Sequence, residues 1–181
     1  MRKILFIFLF SGIFTSVSFI QISAQMKKAI YLGISLDDFR KIYPEIVPAE
    51  TADYLTLKRE DNIYGLSGKW VYSFKKNKLD WYKFEVYINE INQDNFNKCL
   101  IATQKIIEDY RSIYGEPIKY KEGKTEFIDP FKQMHHGYKV LSAVWKSGGE
   151  AFEVQFKFYG SKGEYYFIVS IDFQDAEFAY F

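Results

Sequence analysis

Few side chains in this chain are spaced for covalent or metal chemistry. His135 and His136 are its whole histidine content. Adjacent residues in extended chain point to opposite sides, so two neighbouring histidines do not by themselves grip one ion. Glu126 and Asp129 add carboxylates nearby, but the spacing of zinc or metalloprotease sites is missing. The pair therefore reads as part of an exposed loop. Cys99 is the single cysteine. A thiol or hydroxyl nucleophile needs a base within hydrogen-bond reach. Cys99 falls in the apolar stripe of a helix, where burial raises a thiol pKa and lowers its reactivity. Asp37 and Asp38 are paired carboxylates, but the first turn of a helix accounts for them through the helix dipole. No Gly-x-Ser-x-Gly occurs. Gly148-Gly149 and Gly160 to Gly163 join strand to strand, whereas a phosphate cradle precedes a helix. The sequence assigns no catalytic residue, no metal ligand and no cofactor, and the chain reads as a non-enzyme, with an enzyme of unrecognised type as the remaining alternative.

What remains is an unusual supply of aromatic side chains. Residues 25–181 carry 13 Phe, 15 Tyr and 3 Trp. Most belong to the core, yet tyrosine and tryptophan on an open sheet face suit recognition, because they offer area with few rotors and a polar tip. Trp81, Tyr87 and Tyr166 are the candidate binding residues, for a protein surface or for an extracellular glycan. A glycan site would be a groove with Trp81 flanked by carboxylates or amides.

Two helices and a set of strands must position them. Ser35 caps the first helix, with Asp38 three residues on as in a capping box. Phe39, Ile42 and Tyr43 give it an apolar edge, and Pro44 stops it. Asn92 or Asp94 caps the second. There Phe96, Leu100, Thr103, Ile107, Tyr110 and Tyr114 step by threes and fours, widened by Cys99, Ile106 and Ile113. Gly115 and Pro117 end it. Residues 45–53 read as loop and Tyr54 to Lys58 as a short strand.

Trp70 to Phe74 and Leu79 to Ile88 form a hairpin whose register has two solutions. A two-residue turn sets Leu79 and Trp81 beside Phe74 and Tyr72. A three-residue turn sets Tyr82 and Phe84 there and sends Trp81 and Tyr87 to the open face; the longer apolar run Tyr82, Phe84, Val86, Ile88 favours this second solution. The last third reads as a meander of Val140 to Lys146, Ala151 to Tyr159 and Glu164 to Phe173. A turn at Gly148-Gly149 pairs Trp145 with Phe152, Ala143 with Val154 and Leu141 with Phe156. A turn centred on Ser161-Lys162 pairs Phe158 with Tyr165, Phe156 with Phe167, Val154 with Val169 and Phe152 with Ile171. Glu153, Gln155 and Lys157 take the opposite face.

The first 24 residues have the order of a secretory signal peptide: Arg2-Lys3, an apolar run from Ile4, then a Ser-rich stretch ending at Ser23-Ala24. Cleavage after Ala24, or alternatively after Ser18, leaves an exported protein, periplasmic or secreted, with no further membrane span; the competing reading is an uncleaved anchor over Ile4 to Ile22, whose second half is diluted by Ser11, Gly12, Thr15, Ser16, Ser18 and Gln21. Residues 25–181 then form a single α+β domain with 22 basic and 23 acidic residues, a net charge of −1. That balance gives no reason to seek nucleic acid. One cysteine forms no internal disulfide, so stability rests on the core. The tail Glu177 to Phe181 reads either as docked on the core or as a ligand.

Gly33-Ile34-Ser35-Leu36-Asp37-Asp38-Phe39 resembles the Gly-x-Ser/Thr-x-x-acidic-apolar opening of β-lactamase-inhibitor-protein-like modules, a type shared by small outer-membrane assembly lipoproteins. Ile113-Tyr114-Gly115-Glu116-Pro117 is similar to their Tyr-Gly-x-Pro helix exit. The resemblance implies tandem helix-plus-meander repeats, here about 30–90 and 91–175, and a non-catalytic module that binds other proteins through an exposed sheet surface. The expectation is an α+β fold, an antiparallel sheet with two helices packed on one face from two diverged repeats. Its partner is expected to be another envelope or extracellular protein.

Overall fold

A computed structural model describes residues 30–46, 48–50, 55–123, 138–161, 164–177 and 179. The chain divides into units Met1–Tyr31 and Leu32–Phe181, and the second contains every described helix and strand. The expected signal peptide, the His135-His136 loop with Glu126 and Asp129, and Phe178, Tyr180 and Phe181 of the tail lie outside the described residues.

Helix α1 is Leu36–Ile42, followed by strands β1 (Pro48–Glu50), β2 (Leu55–Ile63), β3 (Leu66–Lys75) and β4 (Lys78–Ile88). Helix α2 is Gln93–Tyr114, followed by β5 (Lys119–Glu122), β6 (Tyr138–Ser147), β7 (Glu150–Ser161) and β8 (Glu164–Asp175). Among the described residues these strands form one eight-stranded antiparallel sheet, in the order β1-β2-β3-β4-β8-β7-β6-β5. Each helix thus leads a four-strand meander, and the last strands of the two meanders pair at the centre of the sheet.

The caps act as the residue types require. Ser35 Oγ accepts from Asp38 N at 3.1 Å and donates to Asp38 Oδ2 at 2.7 Å. Asn92, rather than Asp94, caps α2, with Oδ1 accepting from Asn95 N at 2.8 Å. Gly115 takes φ 77° at the exit of α2, where a side chain would be strained. Its carbonyl accepts from Trp145 Nε1 at 2.9 Å, which ties the helix exit to β6.

Both helices pack on the same face. Phe39 of α1 meets Tyr72 and Phe74, and Phe96 and Tyr110 of α2 meet Phe156 and Phe152. Ile42 and Ile113 are exposed rather than part of the apolar edges, and Leu100 is only half-buried. The buried line of α2 runs instead through Phe96, Cys99, Ala102, Thr103, Ile106, Ile107 and Tyr110. Beneath the helices one register row crosses five strands, joining Tyr72, Tyr82, Phe173, Phe152 and Trp145. Successive rings in this row are stacked, with centroids 6.2, 4.3, 5.2 and 5.4 Å apart. The row crosses the β4–β8 seam without a break and is the spine of the core.

The β3–β4 hairpin combines both expected registers. Lys76 and Asn77 form a two-residue turn with φ 49° and 62°, and Phe74 pairs with Leu79. A bulge at Asp80 then shifts the register, so that Ser73 pairs with Trp81 and Tyr72 with Tyr82. Leu79 and Tyr82 therefore both face the helices, which a regular strand forbids, and Trp81 turns to the other side. The β6–β7 pairs fall as expected. The β7–β8 register differs by two residues. Phe158 pairs with Phe167, Phe156 with Val169, Val154 with Ile171 and Phe152 with Phe173. A slip of two keeps every side chain on its face, since the strand period is two. Two strands add to those expected, β1 within the reading of loop and β5 after α2, and β2 extends to Ile63.

Candidate functional site

The face of the sheet away from the helices carries alternate residues of the same strands. Cross-strand pairing arranges them in rows. One row runs Glu60, Lys69, Glu85, Ser170, Gln155, Ser142 and Lys121; the next runs Lys58, Val71, Lys83, Asp172, Glu153, Val144 and Lys119. A third holds Tyr87, Ile168, Lys157 and Lys139, and beyond it Tyr166 pairs with Tyr159.

Charge is organised around two buried carboxylates and one half-buried one. Glu85 lies 2.6 Å from Lys83 Nζ and 3.6 Å from Lys69 Nζ, and it accepts from the Tyr87 hydroxyl at 3.2 Å. Lys139 Nζ lies 2.6 Å from Glu153 Oε1. Asp172 Oδ2 accepts from Ser170 Oγ at 2.7 Å and from Gln155 Nε2 at 2.9 Å. Burial works against the Lys83 ammonium, but the hydrogen bond and charge of Glu85 outweigh it and hold the pKa above the ordinary lysine value. Burial, then the charge of Glu85, pushes the Tyr87 hydroxyl up.

All three sequence candidates have open-face positions on these strands. Tyr87, 51 % exposed, meets Tyr166 edge to face, with ring centroids 6.1 Å apart at 89°. The Tyr166 hydroxyl donates to Glu164 at 2.7 Å, and that bond is the main cause raising its pKa. Trp81 stands apart. It is six residues from Tyr87 on one strand, about 20 Å at the usual rise. Its ring is half-buried, with the Lys83 ammonium 5.8 Å from the centroid. The structure thus brings Tyr87 and Tyr166 together and leaves Trp81 at the other end of the row set.

Sequence reasoning passed over the charged residues between them. The alternation Trp81, Lys83, Glu85, Tyr87 was the available signal, since residues two apart share a face. Trp70, which alternation groups with Tyr72 and Phe74, is half-buried on the helix side. There Trp70 Nε1 and Arg59 Nη2 each donate to Asp61 Oδ2 at 3.0 Å, and the guanidinium lies 4.8 Å from the Tyr43 ring centroid. This cluster fastens β2 to β3 and α1.

For catalysis the other candidates offer little. Cys99 is buried, and burial pushes its thiol up to about 12. Asp38 is held below the ordinary carboxylate range by hydrogen bonds from Lys41 and Ser35. Among the described residues no group of three or more His, Cys, Asp or Glu is placed to hold a metal ion, and no helix is long and apolar enough to cross a membrane. No family model matches the chain, and neither a curated protein nor a solved structure matches it.

Proposed function

We propose that this chain is an exported, non-catalytic module that binds another envelope or extracellular protein through the face of its sheet away from α1 and α2. The observation that carries the reading is the Tyr87–Tyr166 pair, two aromatic rings held edge to face, with half of Tyr87 open and the two hydroxyls tied to Glu85 and Glu164. Rigid tyrosines beside fixed charges give contact area at low entropic cost. The open-face carboxylates support the non-catalytic reading, because Glu85, Glu153 and Asp172 are each engaged by lysine, amide or hydroxyl donors. Export rests on the order of residues 1–24. The helix-then-four-strands order, occurring twice about the β4–β8 seam, supports two diverged repeats, about 30–90 and 91–175, of the β-lactamase-inhibitor-protein-like type.

A pull-down from envelope extract tests this, comparing wild type with Tyr87→Ala, Tyr166→Ala and Trp81→Ala. Loss of the retained protein with either tyrosine variant is the expected result. A partner held unchanged by all three variants contradicts the reading. N-terminal sequencing of the exported protein is expected to begin at Gln25.

A further inference from the structure

Resting on that reading of the face, we infer that the protein seated there is acidic and docks its carboxylates onto prepositioned lysine ammoniums. The ion pairs of this face are layered. Side-chain exposure is 36 % for Lys69 and 30 % for Lys83 against 9 % for Glu85, and 34 % for Lys139 against 4 % for Glu153. In every one the carboxylate lies at the floor and the ammonium at the surface. A buried carboxylate that has lost its water needs its cationic partner. The lysines are therefore held in place, with donors left over for a second acceptor. A docking carboxylate meets cations whose ordering cost is already met.

The surrounding rows lean the same way. Lysines outnumber carboxylates in them, although residues 25–181 carry a net charge of −1, so the positive character is local to this face. All of these cations are lysines, point charges without the planar fork of arginine, which suits carboxylates arriving at varied angles. Exposed Glu60 and Glu164 stand at two margins. A uniform polyanion crossing the face would meet them as repulsion, whereas a protein surface places its acidic side chains individually. Tyr87 and Tyr166 add an apolar anchor beside the charges.

The test uses immobilised full-length mature protein and defined probes: a glutamate–tyrosine copolymer, a lysine–tyrosine copolymer and polygalacturonate. The glutamate–tyrosine copolymer is expected to bind, and to bind more weakly at high salt as exposed charges are screened. Lys69→Gln with Lys83→Gln is expected to weaken it about tenfold. Lys139→Gln, with circular dichroism to check folding, gives the same reading if the double variant does not fold. Equal binding of the two copolymers, or stronger binding of polygalacturonate, overturns the inference. Binding that depends on Tyr87 but on neither salt nor lysine overturns it too, while leaving the protein-binding face intact. If Tyr87→Ala and the lysine variants all leave binding unchanged, the reading of the face itself falls.

Discussion

The two faces of the five central strands share one backbone and opposite solutions to the same spacing problem. On the helix side the row Tyr72, Tyr82, Phe173, Phe152, Trp145 is a stack of rings. One residue along β4, β8 and β7, the other face carries Lys83, Asp172 and Glu153 in a charged row. The stack is covered by α1 and α2, so its aromatics are used up in packing. The ion pairs of that face keep Glu85 and Glu153 low and Lys69, Lys83 and Lys139 higher, so the ammonium ends are available. An aromatic residue in this protein is therefore informative about binding only once its face is known.

Phe152→Ala is the strongest way to break that contrast. It removes a buried ring that touches Trp145, Phe173, Tyr110 and Tyr114, and chemical denaturation should show a loss of about 3–5 kcal/mol. Alkaline titration separates the faces next. Burial pushes the Tyr72, Tyr82 and Tyr110 hydroxyls well above the ordinary tyrosine value. Below about pH 10 they are neutral in both folded and unfolded chains. Above it the unfolded chain releases protons that the folded one retains, so stability falls as pH rises. Tyrosinate absorbance from these three should grow in step with unfolding.

On the charged face, Glu85→Ala strips Lys69, Lys83 and Tyr87 of their shared acceptor. The expected loss is about 1–2 kcal/mol, limited because both ammoniums keep access to water. A loss as large as that of Phe152→Ala would mean that the charged face also serves as core. Tyr87→Ala is the smallest change in stability, within about 0.5 kcal/mol by the same denaturation assay, with its effect confined to binding.

Much of this arrangement was legible in the residues. Ser35, Asn92 and Gly115 announce the helix ends, and Gly148-Gly149 sets the β6–β7 register. Once the longer apolar run Tyr82, Phe84, Val86, Ile88 is turned to the core, alternation sends Trp81 and Tyr87 away from the helices, and it does the same for Tyr166 on β8. The bulge at Asp80 was hidden because it makes two exclusive registers coexist in one hairpin. β5 was hidden because Lys119-Tyr120-Lys121-Glu122 is exposed throughout, and its strand conformation comes from the edge of β6. That Tyr87 touches Tyr166 follows from β4 pairing with β8, and no local pattern encodes that pairing. The layering of Glu85 and Glu153 under their lysines is likewise a matter of tertiary depth.

The β4–β8 seam also bears on how the molecule comes together in time. Within the meanders the paired strands follow one another in sequence, while Tyr82 and Phe173 meet across about ninety residues, so the seam carries the greatest cost of loop closure. Each meander is assembled from near neighbours, but the ring stack becomes continuous only when β8, the last strand, arrives. Phe173→Leu is accordingly expected to speed unfolding more than it slows refolding in stopped-flow measurements. A sheet stitched together at its middle has its two halves ready early and its spine finished last.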